Sequence, residues 1–115
     1  MESRLKIARA YLDAFFDGDL TTSGEYLDPN FDFHGPLSHY RSPDDFLNGS
    51  NAFLATLRPG WREVAAFENP GEVLVLYDLT FRDGTEIRVA NHLVFTDNRI
   101  GRETVVFDSA LVPKP

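Results

Sequence analysis

The sequence predicts a single α+β domain over residues 1–115, with helices packed on a curved antiparallel β-sheet and an apolar pocket between the two layers. Three observations carry this expectation. Apolar residues recur at helical spacing in the first half of the chain and alternate with polar ones in the second. Helical segments come first and a meander of strands follows, as in α+β domains. At 115 residues, 43% hydrophobic and with 10 phenylalanines, the chain can build one core without disulfide or metal staples.

Ser3 is placed to cap a first helix at about 4–17, with Leu5, Ala8, Leu12 and Phe15 as its buried stripe and Tyr11 on one flank. Gly18 ends it, because glycine tolerates the left-handed conformation that follows a helix. Thr21 or Thr22 would cap a second, short helix ending before Asp28-Pro29. Phe31 and Phe33 alternate with Asp32 and His34 as in a half-buried strand, which Gly35-Pro36 terminates. Ser42-Pro43 opens a third helix, with Asp44 and Asp45 near the positive end of its dipole. Phe46, Phe53, Leu54 and Leu57 are its apolar positions, and Asn48-Gly49-Ser50 is a weak point within it. Four β-rich runs follow at 61–67, 72–81, 85–95 and 100–107, punctuated by Asn69-Pro70-Gly71, Asp83-Gly84 and Asp97-Asn98.

Val73, Val75, Tyr77, Leu79 and Phe81 alternate and must face the core. A three-residue turn Arg82-Asp83-Gly84, with glycine at a left-handed bulge, pairs Phe81 with Thr85, Tyr77 with Val89 and Val75 with Asn91. Asn91 then points inward. A two-residue Asp83-Gly84 turn would put His92 there instead, and the first register is the preferred one. The last hairpin poses the same question. A bulge in it places Glu103 inside, beside Asn91. An unbroken two-residue Asp97-Asn98 turn places Thr104 inside and Glu103 in solvent. With Asn91 inward, the outer face carries Leu74, Leu76, Ala90, His92, Val94, Thr104 and Val106, with no helix left to cover it. A homodimer through this convex face is expected.

The chain has no cysteine, which excludes disulfides and thiolate metal sites and suits a reducing, cytoplasmic location. Its net charge of -7, without a basic cluster, argues against nucleic acid as partner. No signal peptide and no membrane span are expected. The three histidines lack the spacing of a helical metal pair, so no metal and no cofactor are expected.

The helix bearing Tyr11, the Gly18-Asp19-Leu20 stop, the Phe31-Asp32-Phe33-His34-Gly35-Pro36 strand, the third helix and the four-strand meander resemble the nuclear transport factor 2-like superfamily, in particular its SnoaL-like members. The resemblance implies a cone-shaped fold with a pocket at its wide mouth. It also implies a hydrophobic small-molecule ligand and activities such as isomerase, lyase, cyclase or hydrolase, or a purely binding or protein-association role. Within the superfamily the chain is distantly similar to ketosteroid isomerase. Tyr11, seven residues before Gly18, falls where that enzyme has its oxyanion tyrosine, and Asn91 before His92 falls where it has its oxyanion aspartic acid. The position of its catalytic base falls on Gly35, so the base is missing.

Candidate chemistry follows from the residue types. Tyr11 can donate a hydrogen bond to a carbonyl or enolate, and Asn91 is a possible second donor beside it. His34 suits proton transfer at neutral pH, although alternation puts it on the outer face unless Gly35-Pro36 bends it back. Glu103 is the other candidate acid or base. Phe15, Phe33, Tyr40, Phe53, Trp61 and Tyr77 are expected as pocket wall, with His39 and Tyr40 near its rim.

Overall fold

The computed structural model describes residues 3–113. Its elements are α1 (Arg4–Phe16), α2 (Leu20–Gly24), β1 (Leu27–His34), β2 (His39–Tyr40), α3 (Pro43–Ala55), β3 (Arg62–Asn69), β4 (Glu72–Thr80), β5 (Glu86–Thr96), β6 (Arg99–Val106) and a 3-10 turn at Ser109–Leu111. The strands form one curved, unclosed sheet in the order β2-β1-β6-β5-β4-β3, antiparallel except where β1 runs parallel to β6. This is the expected α+β cone, with the helices on the concave face.

The helix ends follow their capping residues. The Ser3 hydroxyl accepts from the Lys6 N–H at 3.3 Å, and Gly18 takes φ +83° just past the end of α1. The buried face of α1 is Ile7, Ala8, Tyr11, Leu12, Phe15 and Phe16, so Tyr11 lies within the stripe rather than on its flank. The cap of α2 is Asp19, not Thr21 or Thr22. Its carboxylate accepts both the backbone N–H and the hydroxyl of Thr22, which neither threonine does as well from within the turn. Ser42, Pro43, Asp44 and Asp45 open α3 as expected, and the helix runs unbroken past Gly49.

The four later strands end within one or two residues of expectation, and the larger differences lie in β1 and β2. β1 begins at Leu27 and includes Pro29; its pairing with β6 is irregular between Leu27 and Asp32, where proline offers no N–H to the ladder. β2 is only two residues long, too short to leave a periodic signal.

The β4–β5 hairpin has the preferred register: Gly84 N–H donates to Phe81 O at 2.9 Å, Gly84 has φ +93°, and Tyr77 pairs with Val89 and Val75 with Asn91. The β5–β6 hairpin combines both of its alternatives. Its turn is the two-residue Asp97-Asn98, with Asp97 in the left-handed region at φ 56°. A bulge follows: Phe95 pairs with Ile100 but Val94 pairs with Arg102, leaving Gly101 without a partner. A Cβ at Gly101 would lie 2.6 Å from Thr96 Oγ1, so the bulge is built around the missing side chain. Beyond it, Glu103 and Val105 face inward and Thr104 and Val106 outward.

Candidate functional site

A cavity of about 500 Å³ opens between the helices and the concave face of the sheet. That volume is in the ordinary range for a small-molecule site. Phe15 comes from α1, Phe33 from β1, Phe46 and Phe53 from α3, and Phe107 follows β6. The rings pack on one another; Phe15 and Phe46 stack at 5.5 Å and Phe33 lies 4.7 Å from Phe46. The Gly35-Pro36-Leu37-Ser38 loop and the 112–113 segment complete the lining.

The polar groups on this wall are few. Ser50 spends its hydroxyl on Phe46 O and Thr56 on Phe53 O, at 2.7 and 2.6 Å. Among the described residues, Glu103 is the only acidic or basic side chain that lines the cavity. Tyr77 joins it from β4.

Glu103 is 4% exposed. Both of its oxygens are held: Tyr11 donates to Oε1 at 2.5 Å, and Asn91 Nδ2 donates to Oε2 at 2.8 Å. The same Asn91 amide donates to the Tyr77 hydroxyl at 2.9 Å. Burial disfavours the charged carboxylate and raises the Glu103 pKa to about 7, although the bonds from Tyr11 and Asn91 pull the other way. Burial, then the Glu103 charge, raises the Tyr11 phenol well above its ordinary range. The same two causes raise Tyr77, against the bond from Asn91. Both tyrosines therefore stay protonated donors. Because Tyr77 accepts from Asn91, its own O–H proton remains to donate.

The arrangement has two layers. Glu103 and Tyr77 form part of the cavity wall, and Tyr11 and Asn91 stand behind them as a brace. Tyr11 and Asn91 are 0% and 1% exposed and lie outside the cavity lining, which corrects their expected role as ligand contacts. Asn91 does face inward as the turn register requires; its path to the cavity is filled by the Glu103 carboxylate and the Tyr77 phenol. Its Oδ1 is buried without a partner.

Phe15, Phe33, Tyr40, Phe53 and Tyr77 line the cavity where the sequence places them. Trp61 does not. Its ring packs edge-on against Tyr77 at 5.5 Å and its Nε1 donates to Asp13 at 2.8 Å, which turns it toward the outside of α1. His34 is also away from the cavity: strict alternation with Phe33 puts it on the outer face, where it bonds to Asp32. Gly35, at the position the resemblance gives to the base of ketosteroid isomerase, reaches the cavity lining without a side chain. Two features escaped the sequence reading. Phe107 closes the last β-rich run, and its facing depends on the same bulge that decides the facing of Glu103. The sequence pattern makes Tyr77 an apolar wall residue, although a tyrosine centred among inward-facing valines and leucines is itself the signal of a buried donor.

A profile of the SnoaL-like domain matches residues 8–103, and the chain belongs to that family. No curated protein matches it. Among solved structures, a protein from Kribbella flavida DSM 17836 is 25% identical with a TM-score of 0.85, covering 93% of this chain and 88% of its own. A nuclear transport factor 2-like protein from Cytophaga hutchinsonii ATCC 33406 is 19% identical at a TM-score of 0.78, with 96% and 94% covered. A protein with a ketosteroid isomerase-like fold from Catenulispora acidiphila DSM 44928, solved with trimethylamine, is 10% identical at a TM-score of 0.78, with 92% and 88% covered. The last two likenesses speak for the fold alone. No helix among the described residues is long and apolar enough to cross a membrane.

Proposed function

We propose that this chain binds a small hydrophobic molecule carrying a carbonyl or similar acceptor and that Glu103 moves a proton on it, as an isomerase, lyase or cyclase does. The observation that carries this reading is the carboxyl group of Glu103 on a wall with few polar side chains, ionising at about 7 and gripped from behind through both oxygens. A base of that pKa is half in each protonation state near neutrality, which suits both taking and returning a proton. Tyr77 stands beside it as the donor that steadies the developing oxyanion. Tyr11 and Asn91 fix the angle of the carboxylate, so little reorganisation is left to the reaction. Hydrolysis fits less well, since the Ser50 and Thr56 hydroxyls on the wall are spent on backbone carbonyls and neither is paired with a base.

The test is a thermal-shift screen of small apolar ketones, enones and lactones, followed by turnover assays on each binder. Glu103→Gln should keep binding and lose turnover. Binders that are turned over equally by the variant would sink the proposal.

A second reading rests on the same group. One carboxylate among aromatic rings is also a receptor for an organic cation, held by charge and by ring faces. The trimethylamine in the Catenulispora relative is in keeping with this, and the protein would then bind without catalysis. Amines that bind the wild type and fail to bind Glu103→Gln, with no turnover of any neutral binder, would favour it.

The assembly we propose is a homodimer through the convex face, where Phe67 and Val106 are 63% and 62% exposed and Leu74 lies in the same row as Phe67. Apolar side chains in adjoining rows of one sheet form a continuous patch, and a second copy of the same patch is its simplest cover.

A further inference from the structure

The three histidines of the chain all lie on the outer face of the sheet, opposite the cavity. His92 pairs across the ladder with Thr104 and Leu74, and bonds Glu72 at 2.7 Å. His34 also aligns with Thr104, and it pairs with His39 across the short β1–β2 ladder at the sheet edge. Asp32 precedes His34 by two residues and so shares its face.

These last three side chains converge. His34 Nε2 lies 2.7 Å from Asp32 Oδ2, and His39 Nε2 lies 2.9 Å from Asp32 Oδ1. The two imidazoles stack with centroids 3.9 Å apart and a tilt of 24°. One ligating atom from each residue falls within 4.8 Å of the other two. The site is open to solvent: the side chains of Asp32, His34 and His39 are 31%, 49% and 40% exposed. Nothing in the acid–base site on the other face uses them.

We infer that Asp32, His34 and His39 form a binding site for one divalent transition-metal ion, of the class represented by Zn²⁺. Two imidazole nitrogens and one carboxylate oxygen are the donors such borderline ions take. Around an ion with bonds of about 2.0–2.1 Å, tetrahedral ligand atoms stand roughly 3.3 Å apart, so the 2.7 and 2.9 Å His–Asp contacts open slightly, the widest separation of up to 4.8 Å closes, and each Nε2 gives up its proton to ligate. The ladder supplies the preorganisation. A cross-strand pair and its neighbour two residues away are fixed by the sheet, and the hydrogen bonds already aim both Nε2 atoms at the carboxylate. Water completes the shell on the exposed side. Mg²⁺ and Ca²⁺ demand oxygen ligands and are not held here.

The consequence reaches the cavity. His34 and His39 are the two ends of the Gly35–Ser38 loop, which is closed by Gly35 N–H donating to Ser38 O at 2.9 Å and lines the cavity. An ion bound between the histidines clamps that loop at its base.

The experiment is calorimetric titration of the full chain with ZnCl₂ in chelator-free buffer. One equivalent should bind saturably. His34→Gln and His39→Gln should each weaken it by more than the roughly 10- to 100-fold that loss of an outer-shell partner costs, and His92→Gln should leave it unchanged. MgCl₂ and CaCl₂ should give no binding. Absence of a saturable equivalent, or binding that survives both glutamine variants or disappears with His92→Gln, overturns the inference. Long-range ¹H–¹⁵N spectra of the wild type decide the matter should a variant misfold. The Nε2 signals of both His34 and His39 must move on adding one equivalent of Zn²⁺ while those of His92 stay, and any other pattern refutes the site.

Discussion

Replacing Glu103 with glutamine keeps the shape of the site and removes its titration. Burial holds the Glu103 carboxyl at about 7 in the folded chain, against 4.5 for the unperturbed group. Below about pH 4.5 folded and unfolded chains both carry the proton, and the full stability is present. As the pH climbs from there to about 7, the unfolded chain releases the proton and the folded chain keeps it, so stability falls. Above about 7 the loss is complete. A gap of about 2.5 pH units, at ~1.36 kcal/mol each, amounts to roughly 3 kcal/mol.

Glutamine has no such loss. The Glu103→Gln chain should therefore gain on the wild type by up to roughly 3 kcal/mol between about pH 4.5 and 8. Hydrogen bonding offsets part of this gain. The glutamine carbonyl can still accept from Tyr11. Its amide would face the Asn91 amide; turning Asn91 over lets Oδ1 accept from the glutamine and from Tyr77, but carries Nδ2 to the buried spot where Oδ1 now has no partner, which takes back about 1–3 kcal/mol of the gain. The assay is urea unfolding of both proteins at several pH values, with the slopes compared to confirm two-state behaviour. A stability difference that stays flat across the range would mean that Glu103 does not titrate as a buried acid, and the proton-transfer reading would fall with it.

Three further outcomes are expected. Tyr11→Phe removes a buried hydrogen bond to a carboxylate, so it should cost about 1.5–3 kcal/mol near neutrality. It should also move the pH midpoint of ligand binding or turnover upward, because that bond pulls the Glu103 pKa down; an unmoved midpoint would detach Tyr11 from the site. Gly49→Ala puts a methyl group into the Tyr40 ring, which packs directly on α3 there. Overpacking of this kind costs about 1–3 kcal/mol, and displacement of Tyr40 should weaken any cavity ligand, as urea unfolding and a binding titration will read. Val106→Asp on the convex face should turn a dimer into a monomer in sedimentation equilibrium without altering ligand binding, and a wild type that sediments as a monomer at micromolar concentration would refute the assembly.

What the sequence made legible is what alternation and turn chemistry govern. The inward row from Val73 to Phe81 needed only period two, and Arg82-Asp83-Gly84 then set the facing of Asn91 across the hairpin. The capping serines, Ser3 and Ser42, likewise act through near neighbours. The site itself depended on longer arithmetic. Glu103 faces the cavity because of a bulge that sits beyond its turn, and the sequence around it satisfies either phase, since Val105 and Val106 are equally apolar. Tyr11 was placed on the right helix, but whether its hydroxyl meets a ligand or another side chain depends on a residue 92 positions away. The position of Trp61 is not legible because an indole suits a cavity wall and a half-exposed groove alike, and the Asp13 carboxylate that draws it outward is remote in sequence. The Asp32, His34 and His39 cluster was invisible for a plainer reason: only the two-residue β2 brings His39 back beside His34.

The bulge at Gly101 also bears on how this protein should be compared with its relatives. A bulge works on a strand as a frameshift works on a message: everything after it is read in the other phase. Deleting Arg102 with the bulge kept would turn Glu103 and Val105 outward and bring Thr104 and Val106 in, setting a hydroxyl opposite Leu93 where the acid stands, with no residue substituted. An alignment that sets a one-residue gap on the wrong side of Arg102 makes the same error on paper, matching the acid of this chain to a surface position of another. In this hairpin the length of the chain between turn and acid is therefore as much a part of the site as the acid itself, and homologues should be sorted by that count before their residues at position 103 are compared.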